Sequence, residues 1–316
     1  MTEPPRLTPA DWQQGPRYGG LYTFLRAPAS RNLEVADVAV VGLPFDSGSV
    51  HRPGARYGPR AIRNASAFLL PHPYEPGREL PPLFQSLRIV DYGDLPLDPN
   101  YIAYALDQVA DHLAPIFAKG ILPVCLGGDH SMTLGALRAC HRHNQRPLSL
   151  LLIDAHPEYW EPPSAERPYN HGSWLRNAVA EGLVDPRRCV VVGLRGSNSL
   201  AILDKVRAAG ITVVTADEVA NEGVADALAR AREVVREPLY VSLDMDSVDP
   251  AFAPAVGVPE VGGLTSREAL ALVRGLRGLP VVGFDVMEVT PPYDQGEITA
   301  ILAANLAYEF LLTRRF

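Results

Sequence analysis

Eight short apolar runs, rich in Val, Ile and Leu and separated by stretches of helical spacing, constrain the fold of this chain more than any other feature. They are Asp37 to Leu43, Leu87 to Tyr92, Ile121 to Leu126, Leu148 to Ile153, Cys189 to Leu194, Ile211 to Thr215, Leu239 to Leu243 and Pro280 to Phe284. A strand buried on both faces reads as a continuous apolar run, so these are expected to be strands of a parallel sheet covered on both sides. Between the second and third runs, Ile102, Leu106, Val109, Leu113 and Ile116 recur at the three-and-four spacing of one helix face. Helices are expected likewise over Met132 to Arg142, Gly172 to Gly182, Ser199 to Ala209, Asp217 to Arg236, Ser266 to Gly278 and Thr299 to Thr313. The alternation predicts one α/β domain on a parallel sheet of about eight strands, with helices on both faces. No Gly/Ser linker, charge block or internal repeat divides residues 31–316. The Pro-rich segment Met1 to Ser30 is set apart as an N-terminal arm, either disordered or wrapped on a neighbouring subunit.

Charge and cysteine usage narrow the function classes. The 316 residues carry 29 basic and 36 acidic side chains, a net charge of -7, without a basic stripe. Nucleic acid and anionic membrane are therefore poor partners, and a cationic small molecule remains open. Cys125, Cys140 and Cys189 are far apart and form no C-x-x-C, which fits a reducing compartment. The first residues have neither a basic n-region nor an apolar h-region, and no apolar stretch approaches the ~18 residues of a membrane span. The expected location is the cytoplasm. Thirty prolines, nearly twice the usual ~5%, imply rigid connecting loops, the places where sites are commonly carried.

In open α/β sheets ligands bind beyond the carboxyl ends of the strands, and three of these ends are unusual. GGDHS (Gly127 to Ser131) follows the third run, DAHPE (Asp154 to Glu158) the fourth, and DMDSVDP (Asp244 to Pro250) the seventh. Residues i and i+2 of an extended segment share a side, so Asp154, His156 and Glu158 can converge, as can Asp244 and Asp246. Crowded carboxylates raise one another's pKa unless a cation sits among them. Two divalent ions would offset four carboxylates, and mixed imidazole and carboxylate donors suit Mn, Fe, Ni or Zn better than Ca or Mg. A lone D-x-D is ordinarily a solvated turn, and GGDHS alone could be a glycine turn with a cap. Three such endings on one rim instead predict a binuclear metal site. An EF-hand loop is excluded because Val248 and Asp249 occupy positions that need an oxygen ligand and a glycine. No phosphate-binding glycine motif occurs.

The chain resembles the ureohydrolases, the family of arginase and agmatinase, and most of all its agmatinase-like branch. The resemblance rests on RYGGLYTFLRAP (Arg17 to Pro28), VVGLPFDSGSVHRPGARYGPRAIR (Val40 to Arg63), GGDHS, DAH, NHGSWLRNAVAEG (Asn170 to Gly182), SLDMDSVDPAFAP (Ser242 to Pro254) and GFDVMEVTPPYD (Gly283 to Asp294). It implies a three-layer α/β/α arginase-like fold, two Mn or Ni ions, and hydrolysis of a guanidino compound by a metal-bridging hydroxide. Carried over by position, His130 and Glu158 would bind the first ion, His156 and Asp246 the second, and Asp154 and Asp244 both. His171 matches the histidine that moves protons to the leaving amine, and Glu288 the carboxylate that pairs with the guanidinium. Asn170, Tyr159, Trp160, Val256 and Val258 are expected to join Glu288 in binding substrate. The resemblance also implies a homo-oligomer, a hexamer or trimer.

Three departures stand out. Glu158 replaces the family's aspartate and is one methylene longer. APAVGVPE (Ala253 to Glu260) places Val256 and Val258 where threonines are usual. The segment Tyr159 to Tyr169 is aromatic and proline-rich. These widen the candidate substrates from agmatine and guanidinobutyrate to guanidine, an N-alkyl guanidine or a biguanide, with a homologous second subunit as a possible partner. The contrasting reading is a largely structural subunit of a hetero-oligomer.

Overall fold

The apolar runs form strands whose alternate side chains enter two different cores, the period of an extended chain. In the first strand, Val38 and Val40 join one buried layer, while Ala39, Val41 and Leu43 join the other. The computed structural model describes residues 15–70, 82–162, 164–196 and 200–314. Eight strands, β1 (Val38–Leu43), β2 (Ile89–Asp94), β3 (Leu122–Gly127), β4 (Leu148–Ile153), β5 (Val184–Leu194), β6 (Thr212–Thr215), β7 (Leu239–Asp244) and β8 (Val281–Met287), make one sheet in the order β2-β1-β3-β8-β7-β4-β5-β6. Every pairing is parallel. The three-layer α/β/α arrangement expected from the sequence is therefore present.

One face is covered by α1 (Gly58–Ser66), α7 (Ala216–Glu222), α8 (Val224–Val234), α9 (Ser266–Arg274) and α10 (Ile298–Thr313). The other is covered by α3 (Ile102–Ala118), α4 (Met132–Asn144), α5 (Trp174–Ala180) and α6 (Leu200–Ala208), and a single turn, α2 (Leu83–Ser86), precedes β2. Among the described residues no helix is long and apolar enough to cross a membrane.

Three expectations need correction. The single helix expected over Asp217 to Arg236 is two, because Gly223 adopts φ 90°, which no helix accommodates. The fifth strand begins at Val184, before the expected Cys189, its first residues pairing at Leu148 ahead of a register shift. The eighth runs past Phe284 to Met287, because Asp285 is satisfied inside the sheet by hydroxyls and does not end the strand. The helix α1 was not anticipated at all.

Of the expected arm, residues 15–30 are described, and Phe24, Leu25 and Ala27 are buried in the core of the same chain. Asp91 on β2 holds this segment: one of its oxygens accepts the Phe24 N–H at 2.7 Å and the Arg63 Nε–H at 2.8 Å. Arg63, on α1, also donates to the second Asp91 oxygen at 3.0 Å and pairs with Asp94. Both Arg63 and Asp91 are buried. Removing one partner of such a pair strands a charge, at a cost of about 3–5 kcal/mol. Arg63→Met is expected to lose stability of that order in urea unfolding; a loss below about 1 kcal/mol would show that the pair does not anchor the N-terminal segment.

Candidate metal centre

The strand order puts β3, β8, β7 and β4 side by side at the middle of the sheet, all pointing the same way. Their carboxyl ends deliver His130, Glu288, Asp244 with Asp246, and Asp154 with His156 and Glu158, respectively, to one rim. All seven are buried. Asx-type closures align the i and i+2 residues: Asp154 Oδ1 accepts the His156 N–H and Asp244 Oδ1 accepts the Asp246 N–H, both at 2.7 Å. Asp246 lies in a 3-10 turn (Met245–Ser247), so the convergence expected from an extended segment is reached there by a turn instead.

His130 Nδ1 lies 2.8 Å from Asp244 Oδ2 and 3.2 Å from Asp154 Oδ2. His156 Nδ1 lies 2.9 Å from Asp246 Oδ2 and 3.7 Å from Asp154 Oδ1. Ligand atoms of His130, Asp154 and Asp244 lie within 4.8 Å of one another, and so do those of Asp154, His156 and Glu158. Asp154 thus belongs to both groups.

The surroundings of His130 fix its tautomer. Its Nε2 is 2.7 Å from the Ser242 hydroxyl, which itself donates to Asp285. Asp285 is fully buried and also accepts from Thr133 at 2.9 Å and Tyr240 at 3.0 Å. With the Ser242 proton committed to Asp285, His130 donates from Nε2 and turns Nδ1 toward two carboxylate oxygens; burial opposes protonation of the ring, but Asp244 outweighs it and raises the imidazole above its ordinary range. Nδ1 is thereby placed either to donate to these oxygens or, once deprotonated, to share a cation with them, and an outer hydroxyl–carboxylate relay of this kind is how proteins orient histidine ligands.

Electrostatics agree with that reading. Burial pushes Asp154, Asp244 and Glu158 well above the ordinary carboxylate range, and neighbouring carboxylates push them further. Burial opposes protonation of His156, but Asp246 and Asp154 outweigh it and raise the imidazole to about 9. Three buried carboxylate oxygens, Asp154 Oδ2, Glu158 Oε2 and Glu288 Oε2, have no hydrogen-bond partner. Orphaned acceptors at this depth are costly, and their placement among imidazoles fits divalent cations.

Glu288 and His171 meet beside this cluster. Glu288 Oε1 accepts the His130 N–H at 2.9 Å and lies 2.8 Å from His171 Nδ1, while His171 Nε2 accepts the Val50 N–H at 3.1 Å. His171 therefore carries a proton on Nδ1, shared with Glu288; burial opposes charging of the ring, but Glu288 outweighs it and raises the imidazole above its ordinary range. Glu288 and Glu158 both hold the left-handed backbone conformation, at φ 67° and 52°, uncommon for such residues and typical of sites held by their surroundings. A side chain on Gly257 would reach within 2.5 Å of Glu288 Oε2, so the glycine keeps that oxygen clear.

A cavity of about 350 Å³ opens onto the cluster, lined in part by His156, Glu158, His171, Asp244 and Asp246. Of the residues expected at the substrate, Asn170, Trp160 and Val258 line it. Glu288 does not line it but touches His171, which does. Tyr159 packs half-buried against the core, and Val256 is fully buried in the opposite core. The sequence reading passed over Val50 and Glu260, which also line the cavity. Glu260 Oε1 is 3.7 Å from His156 Nε2, on the side of the ring away from Asp246. Its position at the end of APAVGVPE was the available signal.

The profile described as the arginase family matches residues 36–313. The chain is 42% identical to guanidinopropionase from Pseudomonas aeruginosa, covering 96% of this chain and 94% of that one. It is 40% identical to agmatinase from Chromobacterium violaceum, covering 94% and 90%. The solved structure of proclavaminate amidinohydrolase from Streptomyces clavuligerus superimposes with a TM-score of 0.88 at 42% identity, covering 95% of this chain and 99% of that one. With the rim of carboxylates and imidazoles in the expected fold and the match running over nearly its whole length, this chain is a hydrolase of the arginase family.

Proposed function

We propose that the chain is a binuclear-metal amidinohydrolase that cleaves a C–N bond of a guanidino compound and releases urea, or an analogous product, and an amine. The observation that carries the reading is the group of buried, unpartnered carboxylate oxygens on Asp154, Glu158 and Glu288 beside two imidazoles. His130 and Glu158 would hold one divalent ion and His156 and Asp246 the other, with Asp154 and Asp244 available to both; in the structure Glu158 groups with Asp154 and His156, so its place beside His130 rests on the family pattern. Mn and Ni suit this donor set. When bound, the two ions supply Lewis acidity and lower the pKa of a water toward neutrality.

The chain's own groups do the rest. Two divalent ions would offset Asp154, Asp244, Asp246 and Glu158, which leaves Glu288 to favour a cation. The clear Oε2 of Glu288 accepts guanidinium N–H groups, and a planar cation suits a carboxylate. His171 holds a proton at Nδ1 against Glu288 and passes it toward the leaving amine. Trp160, Val50 and Val258 form an apolar wall that limits water and packs the tail of the substrate. Among the described residues that line the cavity there is no Lys or Arg, and Glu260 stands on the wall. A carboxylate tail would find no counter-charge there, so neutral or cationic tails fit better than guanidino acids.

A panel of guanidine, alkylguanidines, a biguanide, agmatine and guanidino acids, scored for urea and amine release with Mn and with Ni, tests the reading. Turnover is expected for at least one member, faster with non-acidic tails; no turnover with either metal across the panel refutes it. His171→Ala is expected to lower kcat by about 10²- to 10⁴-fold with metal content intact, whereas loss of metal in that variant would make His171 a ligand.

Metal loading carries a pH signature with a definite sign. Protons compete with the ions for carboxyls whose pKa burial and neighbouring carboxylates raise and for the His156 imidazole, raised to about 9, so loading releases protons and affinity rises with pH. Calorimetric titration of Mn in buffers of different ionisation enthalpy should report net proton release, with affinity increasing between about pH 6 and 8. Proton uptake, or affinity that falls across that range, would contradict the ligand assignment.

A further inference from the structure

Arg195 follows the last residue of β5 and lies outside the set of ligands and cavity residues, yet its contacts converge on the site. Its backbone N–H donates to the Ala155 carbonyl at 3.1 Å, inside the DAHPE segment. Its guanidinium donates to six backbone carbonyls. Nη2 reaches Asp246 and Glu260, both at 2.7 Å, and Val248 at 3.4 Å. Nη1 reaches Ser247 at 3.0 Å and Gly193 at 3.2 Å, and Nε reaches Val261 at 3.1 Å.

The topology gives these bonds meaning. In the order β7-β4-β5, β5 is not adjacent to β7, so Arg195 reaches across the end of β4 to the turn after β7. One planar fork of donors thereby joins three segments, the end of β5, the turn carrying Asp246 and the Glu260–Val261 segment of the cavity wall, the last two of which also meet at the bridge between Val248 and Leu264. A side chain on Gly263 would come within 2.4 Å of Nη2, so this position leaves the clamp its room.

The His130 side of the site is braced separately, by Ser242, Asp285 and Glu288. Asp246 has a different set of restraints: its N–H is held by Asp244, its carboxylate by the Ala155 N–H and His156, and its carbonyl by Arg195. We infer that Arg195 is a positioning residue that sets the Asp246–His156 half of the binuclear site, and so governs the second metal ion selectively. The inference rests on the binuclear reading above. Lysine cannot take over the role, because a compact ammonium has three donors and no fixed fork.

The test compares wild type, Arg195→Lys, Arg195→Met and the control Arg138→Met, each loaded with Mn. Arg138 also makes ion pairs, with Glu181 and Asp107, and donates to the Tyr169 hydroxyl at 3.1 Å, but bonds to none of the six expected metal ligands. Mn content by elemental analysis, binding isotherms and the electron paramagnetic resonance signature of a coupled Mn pair are measured alongside thermal unfolding. Wild type and Arg138→Met should hold two ions with a coupled spectrum. Arg195→Lys should retain one ion at near wild-type affinity, bind the second at least about tenfold more weakly and lose the coupled signal, with excess Mn restoring it. Should Arg195→Met not fold, Arg195→Lys decides alone. Two ions bound as tightly as in wild type, or parallel loss of both ions in step with stability, overturns the assignment of Arg195 while leaving the binuclear reading in place. A wild-type protein that holds no Mn overturns both.

Discussion

Mutual repulsion among buried carboxylates is the constraint on which the rest of the structure depends. Asp154, Asp244, Asp246 and Glu158 are each almost fully inaccessible to water, and in a low-dielectric interior like charges at this spacing cannot all remain ionised without compensation. The fold does not relieve the problem by spreading them apart. It brings four neighbouring strands of a parallel sheet to one rim and sets a carboxylate or imidazole at the end of each. Raised proton affinity relieves the repulsion in the absence of ions, and divalent cations relieve it when they displace those protons, which makes a destabilising cluster a candidate binding site.

Holding that cluster ready requires a second layer of bonds that is polar and nearly dry. Ser242 and Asp285 fix the His130 tautomer from inside the sheet, and Glu288 ties the His130 backbone to His171. Arg195 binds the opposite half through backbone carbonyl groups. These restraints come from β5, β7 and β8 and from the loops beyond them, so the precision of the site belongs to the whole central sheet. The strained backbones of Glu158 and Glu288 are tolerated because their neighbours over-determine them.

Much of this was legible in the sequence, for a physical reason. Strands of a doubly covered parallel sheet must be apolar along their whole length, so they announce themselves, and a polar residue directly after such a run sits on the rim. That is why His130, Asp154, His156, Asp244 and Asp246 could be picked out together. Lateral strand order is not locally encoded: nothing in the β8 segment says that it inserts between β3 and β7, so the Glu288 contact with the His130 backbone was not foreseen, and Glu288 itself was picked out by resemblance alone. Orientation is equally silent. Val256 and Val258 look equivalent, but only the latter faces the cavity. Ser242, Asp285 and Arg195 read as ordinary strand and loop residues until the fold brings their partners to them. Gly223 was visible, but an isolated glycine is often tolerated within a helix, and the left-handed break there is a tertiary choice.

The central claim is that these six side chains hold two cations. Anomalous diffraction from crystals of the Mn-loaded protein tests it most directly. Two peaks are expected at the rim, roughly 3.5–4 Å apart, one beside His130 and Glu158, the other beside His156 and Asp246, with Asp154 and Asp244 touching both. A single peak, peaks outside this cluster, or none at saturating Mn would contradict the account.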